Sequence, residues 1–314
     1  MTTTLERPAA SPPPAASGGV TTRSARSEGW VRRAPLLPAL VFTIVVTQIP
    51  FVLTLYYSFQ SWNLVRPGSL HFVGFENYAA VFADSQFRGV VLNTVIMTLG
   101  SVLIAVVLGL LLALLLNRHF IGRGVVRTLL VTPFLITPVA AALLWKTTLL
   151  DPTYGLINFV LGGRTIDWVS QYPLASVMAA LVWQWTPFMM LLLLAGLQSQ
   201  PGDQIEAARV DGAGAWAIFV ELTLPHLRRF LELGIVLGAI YLVNTFDAVY
   251  MITQGGPGTA SANLPFYIYQ RAFLGFDIGQ SAAMGVVVVI LTIIVATFAL
   301  RLVFRSFGAA GSES

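Results

Sequence analysis

Six apolar stretches punctuate the chain, at Pro35–Phe59, Val90–Leu116, Thr128–Leu150, Leu174–Leu197, Phe230–Ile252 and Ser281–Phe304. Each is long enough to cross ~30 Å of hydrocarbon, which takes about 20 helical residues. The pattern predicts an all-α integral membrane protein with six transmembrane helices. Between the fourth and fifth stretches, within residues 198–228, lies a polar-rimmed segment, EAARVDGAGAWAIFVELTLP, Glu206 to Pro225. Pro201-Gly202 ends the preceding stretch. Asp203 is placed to cap a new helix, and Glu206 stands three residues on, the capping-box spacing. Ala207 and Ala208 leave a smooth face, Gly212 permits a sharp turn, Ala215–Leu222 suits a second short helix, and Pro225 closes the unit. A lobe of this kind on a membrane domain suits docking of a separate soluble protein. Residues 1–34 (TTTLERPAASPPPAASGG and its flanks) are expected to be a disordered tail, because Pro, Ala, Ser and Gly offer no periodic apolar face. Residues 35–307 form the membrane domain and 308–314 a second tail.

Composition supports this division. The chain of 314 residues is 56% hydrophobic and 10% charged, with a mean hydropathy of +0.77, which excludes an ordinary soluble domain. It has no cysteine, hence no disulfide framework and no thiolate metal site. The basic residues flank apolar stretches instead of forming a stripe, so no nucleic-acid partner is expected. With the N-terminus inside, only Arg66, Arg88, Lys146, Arg164 and Arg271 of the 18 Lys and Arg residues face outward. The positive-inside rule then places both termini and the Glu206 lobe in the cytoplasm. The lysine, Lys146, follows Trp145 instead of a P-loop glycine, so no nucleotide site is expected on this chain. His71, His119 and His226 fall in loops without a metal-binding pattern, so no metal is expected and the chain is not read as an enzyme. Ionisable groups within the apolar stretches are few, with Glu232, Asp247 and Arg301 among them, which disfavours an ion-driven carrier.

The fourth and fifth stretches carry the polar groups of most interest. Gln184 lies near the middle of the fourth, between Trp183 and Trp185, with Pro187 one turn on. Pro187 should disturb the helix and free the Trp183 carbonyl. Indole faces stack on sugar C–H faces, and the amide could bond a hydroxyl. The same amide could instead bridge two helices. Tyr241, Asn244, Thr245, Asp247 and Tyr250 crowd the outer half of the fifth stretch, with Asn244 and Asp247 on one face. This set suits a hydroxyl-rich solute, although Asp247 could equally form an ion pair with Lys146 or Arg271.

Glu206-Ala207-Ala208, three residues, Gly212, nine residues, Leu222, one residue and Leu224-Pro225 resembles the coupling loop of binding-protein-dependent ABC importer permeases. FVGFENY (72–78), Asn93-Thr94, GRGVVRTLLVTPFLITPVAAALLW (122–145), DPTYGLIN (151–158) and TQGGPGTAS (253–261) are similar to segments of the carbohydrate-uptake branch, which includes maltose, glycerol-3-phosphate, trehalose and polyol permeases. The resemblance covers about residues 36–307 and implies a type I importer permease in a bacterial cytoplasmic membrane. It implies ATPase coupling through Glu206, Ala207, Ala208, Arg209, Asp211, Gly212, Phe219, Leu224 and Pro225. It further implies binding-protein contact at Gly255, Gly256 and Pro257, and a pathway including Trp183, Gln184, Tyr241, Asn244, Thr245 and Asp247. The implied partners are a second homologous permease, two copies of a cytoplasmic ATPase that hold ATP and Mg, and an extracytoplasmic solute-binding protein. The implied substrate is a linear polyol (sorbitol or mannitol) or a disaccharide such as trehalose. The alternative reading is a stand-alone secondary carrier for a small polar solute.

Overall fold

The computed structural model describes residues 34–310, so nearly all of the predicted N-terminal tail lies outside the described residues. The chain divides into two compact units, up to Val52 and from Leu53 onward; every contact below lies in the second. Helix α1 spans Leu37–Ser58, α2 Ser85–Leu116 and α5 Pro173–Gln198. All three are long and apolar enough to cross a bilayer. Helix α2 begins at Ser85 instead of Val90 because the Asp84 carboxylate accepts from the Gln86 N–H at 2.9 Å and caps the first turn. Pro173 opens α5 in the first turn, where a missing N–H leaves no bond unmade.

The third stretch is not one straight span. It forms α3 (Arg123–Leu135) and α4 (Pro138–Leu144), the latter running on as a π-turn over Trp145–Leu149. The two parts are bent by 102° at Ile136-Thr137. Pro138 disfavours helical geometry in the residue before it, and Thr137 is extended (φ −60, ψ 142). The fifth stretch is broken as well. Helix α8 (Leu224–Val243) stops at Asn244, and α9 (Asp247–Ile252) starts after Phe246. The Asn244 amide donates to the Ile240 carbonyl at 2.8 Å, a side-chain bond that competes with helix continuation. Helix α11 runs over Ile278–Ala310, further at both ends than Ser281–Phe304 and into the expected C-terminal tail.

Two expectations about the lobe need correction. Helix α6 (Gly202–Val210) is preceded by Pro201 at the cap position, without a side-chain cap bond, so Asp203 lies inside the first turn instead of capping it. Pro225 does not close the unit. Helix α7 (Ala215–Ile218) passes through a π-turn (Phe219–Thr223) directly into α8, and Pro225 sits in that helix's first turn, where proline is tolerated.

Packing centres on α2, α5 and α8, which meet at Met189. A Cβ on Gly109 of α2 would lie 2.7 Å from Met189 Cβ and 2.8 Å from the Met190 amide nitrogen. Across α8, a Cβ on Gly238 would stand 2.6 Å from Met189 Cε, and one on Gly234 3.1 Å from Sδ. The Gly234–Gly238 spacing is a small-xxx-small face, which lets helices approach without a water-driven hydrophobic effect. Helix α2 also places its polar residues inward. Thr94, Thr98 and Ser101 are buried, while Leu92, Leu99, Leu103 and Leu111 are exposed. A surface so apolar suits a hydrocarbon environment.

At the N-terminal end of α2, Arg271 donates to Asp84 at 2.8 Å and to the Tyr267 hydroxyl at 2.7 Å, and Tyr267 in turn donates to Asp84 at 2.8 Å. Burial would raise the Asp84 carboxyl, but the Tyr267 and Gln86 hydrogen bonds and the Arg271 charge hold it below its ordinary range. A two-stranded antiparallel ribbon, β1 (Gln60–Ser61) with β2 (His71–Phe72), follows α1, in the register Gln60 to Phe72.

The close approach at Gly109 gives a test. Gly109→Leu should lower the thermal midpoint of the detergent-purified protein by the equivalent of ~1–3 kcal/mol, because the backbone of α5 cannot yield. Gly124→Ala, where an added Cβ meets nothing within 4 Å, should leave the midpoint unchanged or slightly raised. Equal midpoints for the two variants would refute a backbone contact at Gly109.

Candidate functional site

The lobe is built around one backbone constraint. Helix α6 ends at Val210 with Asp211 as its C-cap, and Gly212 follows with φ +86. The Gly212 N–H donates to Arg209 O at 3.1 Å and the Ala213 N–H to Ala208 O at 2.9 Å. These are the two bonds of a Schellman motif, whose left-handed position favours glycine. Glu206, Ala207, Arg209, Asp211 and Leu224-Pro225 therefore stand on a folded helix–turn–helix, with Glu206, Ala207, Arg209 and Asp211 exposed and Ala208 half-buried. Val210 and Trp216 are 87% and 76% exposed, a large apolar offering for a short polar segment. Trp216 packs on Phe219 with ring centroids 5.8 Å apart.

The residues singled out in the fourth and fifth stretches divide among three places. Trp183 meets Trp145 edge-on at 6.1 Å, and both line an apolar cavity of about 680 Å³ with Ile104, Leu129, Pro133 and Met178. Gln184 is buried, and its Nε2 donates to the Ile136 carbonyl at 3.1 Å, at the bend of the third stretch. Of the two roles open to this amide, the geometry provides the helix bridge. Pro187 lies inside α5 without ending it.

Tyr241 and Asn244 lie three residues apart and are exposed. Tyr241 stacks at a tilt on Trp185, with centroids 5.4 Å apart. Trp185 in turn meets Phe134 at 5.7 Å and Phe188 at 5.8 Å, and Phe134 stacks on Phe188 at 5.7 Å. An aromatic face thus joins the end of α3, the middle of α5 and the far part of α8, with the Asn244 amide beyond it. The sequence points to Trp185 as a sugar-stacking indole beside Gln184, but it does not single out Phe134 and Phe188. The readable signal was the Trp185–Phe188 spacing of three, which puts both rings on one helical face.

Thr245 contributes its carbonyl, which accepts from the Asn263 amide. Asp247 opens α9 and makes no ion pair among the described residues. Of its two suggested partners, Lys146 and Arg271, the latter pairs with Asp84 instead. In the loop after α9, Gly255 has φ +78, and an added Cβ would stand 2.6 Å from Phe266. The Gly255 N–H donates to Thr253 Oγ1 at 3.2 Å, and Ser261 Oγ donates to Gly256 O at 3.1 Å. Pro257 and Gly258 are left exposed at the tip.

Residues 105–308 match the family described as binding-protein-dependent transport system inner membrane component. The chain is 37% identical over 274 residues to a probable ABC transporter permease of Sinorhizobium fredii, covering 86% of this chain and 88% of that one. It is 36% identical over 273 residues to the sulfoquinovosyl glycerol transport system permease of Agrobacterium fabrum, covering 85% and 88%. It is 34% identical over 274 residues to the trehalose transport system permease of Mycobacterium tuberculosis, covering 87% of each. Among solved structures, a bacterial ABC transporter involved in the import of the acidic polysaccharide alginate superposes with a TM-score of 0.76 at 22% identity, over 89% of this chain and 96% of that one. A mostly helical chain with several apolar helices and this topology has the type I ABC importer permease fold. The chain belongs to the family of binding-protein-dependent transport system inner membrane components, and it is membrane-embedded.

If Gln184 bridges helices, Gln184→Leu leaves the Ile136 carbonyl unpaired in apolar surroundings. The expected loss is ~1–3 kcal/mol of stability. It should be read as a lower thermal midpoint, equal with and without sugar, and an unaltered ranking among sugars. A changed ranking at constant midpoint would instead make Gln184 a substrate contact.

Proposed function

We propose that this chain is one of two homologous permease subunits of an ATP-driven importer for a disaccharide such as trehalose or a related polyol. The observation that carries the reading is the Gly212-turned lobe, which is exposed, matches the coupling-loop spacing and runs without a break into α8. In this reading the lobe and both termini are cytoplasmic. Two copies of a separate ATPase bind ATP and Mg there, and one of them receives Glu206, Ala207, Ala208, Arg209, Asp211, Gly212, Phe219, Leu224 and Pro225 in a surface groove. Closure of the ATPases displaces the lobe, and α8 carries the displacement into the membrane. The loop with Gly255, Gly256 and Pro257 faces a solute-binding protein on the other side. The alginate transporter has been crystallised with a saccharide-bound periplasmic protein, which supports such a partner.

The aromatic face supports the solute class. Sugar rings present C–H faces that stack on indole and phenol, and Phe134, Trp185, Phe188 and Tyr241 offer such a surface with Asn244 as a hydrogen-bonding group. Relatives named for trehalose and for sulfoquinovosyl glycerol support a glycoside over a linear polyol.

Purification from native membranes followed by uptake into proteoliposomes tests the proposal. The chain should bring a second permease and an ATPase with it, and uptake should require ATP and a binding protein. Gly212→Val should insert normally yet lower uptake about tenfold, the scale set by ~1–2 kcal/mol of left-handed strain. Glu206→Lys should weaken ATPase retention, and Trp185→Leu should lower uptake and alter the ranking of sugars. Transport by the purified chain alone, without ATP, would replace this reading with a secondary carrier.

A further inference from the structure

Asn263 is 1% exposed and lies between three elements. It caps helix α10 (Leu264–Tyr269), where its Oδ1 accepts from the Phe266 N–H at 3.2 Å. Its Nδ2 donates to the Thr245 carbonyl, in the break between α8 and α9. The adjoining residues are held to α2. The Leu264 N–H donates to Thr94 Oγ1 at 2.9 Å, and Asn93 donates to the Thr259 and Ala262 carbonyls at 2.9 and 3.3 Å. The same amide therefore fixes the far end of α8 to the segment that follows the exposed Pro257-Gly258 tip.

Helix α7, its π-turn and α8 form one uninterrupted helical rod from Ala215 to Val243. At 1.5 Å per residue the rod is about 40 Å long. One end is the lobe, and the other stops one residue short of the Asn244–Phe246 break where Thr245 is held. A continuous helix with one end in the exposed lobe and the other beside the held Thr245 can pass a bias between those ends. We propose that Asn263 is a positioning residue that ties the movement of this rod to the loop of residues 253–264. Displacement at the lobe then changes the presentation of that loop, and a partner docked on the loop biases the lobe in return. The proposal rests on the ATPase-coupled importer reading.

The chain contains no cysteine, so Ala260→Cys on the exposed part of this loop gives it a single reporter thiol. In the complex copurified with its ATPase and partner permease, the rate of labelling by a fluorescent maleimide on this chain is measured with and without MgATP. Ala260→Cys alone should show a change of about fivefold or more, the low end of ordinary coupling between sites. Adding Asn263→Ser keeps a capping oxygen for the Phe266 N–H but has no amide to extend to Thr245. The ATP-dependent change should then fall to less than about twofold, with ATP hydrolysis persisting. Asn93→Leu frees the same loop from α2 but leaves Asn263 in place, and it should retain the change. Asn263→Thr provides a second capping hydroxyl and should match Asn263→Ser.

An unchanged response in Asn263→Ser, or equal loss in Asn93→Leu, would overturn the proposal. So would failure of both Asn263 variants to assemble, which would make Asn263 a folding residue. A complex that hydrolyses ATP while its reporter thiol never responds also overturns it. Failure of the underlying reading is distinguishable, because then no ATPase copurifies and no ATP hydrolysis is present to modulate.

Discussion

A helix that breaks inside hydrocarbon leaves carbonyl and amide groups with no water to satisfy them, and each unpaired group costs several kcal/mol. Among the described residues two of the apolar stretches are broken, and in both places a side-chain amide from another segment donates to a carbonyl at the break. Gln184 on α5 bonds Ile136 at the 102° bend between α3 and α4. Asn263 bonds Thr245 between α8 and α9. These two bonds decide where the broken segments can lie. The first sets the end of α3, with Phe134, against the middle of α5. The second sets the end of α8 against the capped start of α10. The aromatic face and the loop at Pro257 are both consequences of these placements.

The legible parts of the sequence were those where composition alone decides. The second and fourth stretches are uncharged and largely apolar, and their helices end at Leu116 and Gln198, close to the predicted limits. The third and fifth are also long apolar stretches, and a hydropathy pattern cannot distinguish a bent segment from a straight one. The local signals were present nonetheless. Pro138 constrains Thr137, and Asn244-Thr245 offers side chains that compete with the backbone. Asn263 followed by Leu264-Pro265 is a readable cap-and-proline start for a helix. Asp203 misled because capping depends on the chain entering the helix at that residue, and Pro201 already occupies the entry. Pro225 misled for a related reason. Proline interrupts a helix from within, but in the first turn after a π-turn it removes no needed donor.

The candidate site was legible as a set of residues and illegible as an arrangement. Trp183 and Trp185 are two positions apart, which on a helix sends their side chains in nearly opposite directions. One lines an apolar cavity beside Trp145, and the other meets Tyr241. Gln184, between them, takes a third direction and holds a backbone carbonyl. A sequence reading that groups neighbours in the chain therefore merged a cavity wall, a helix bridge and an aromatic face. The polar residues of α2 show the same inversion. Thr94, Thr98 and Ser101 turn inward and the leucines outward, so polarity along such a helix marks protein contact instead of solvent.

The junction at Met189 bears on how such an assembly can move. Gly109, Gly234 and Gly238 bring α2 and α8 close around a single unbranched side chain. A β-branched residue there would be locked to one rotamer, whereas methionine has three rotatable bonds and adapts to a shifting surface. Met189 can thus stay packed against α2 and α8 through small shifts of either helix. The restraints at the two breaks are directional hydrogen bonds, which such shifts would strain. The contact between helices is therefore compliant where α8 crosses α5 and stiff at its far end. In the proposed coupling, displacement entering from the lobe would therefore reach Thr245 along α8, the end where the helix is held by a directional bond.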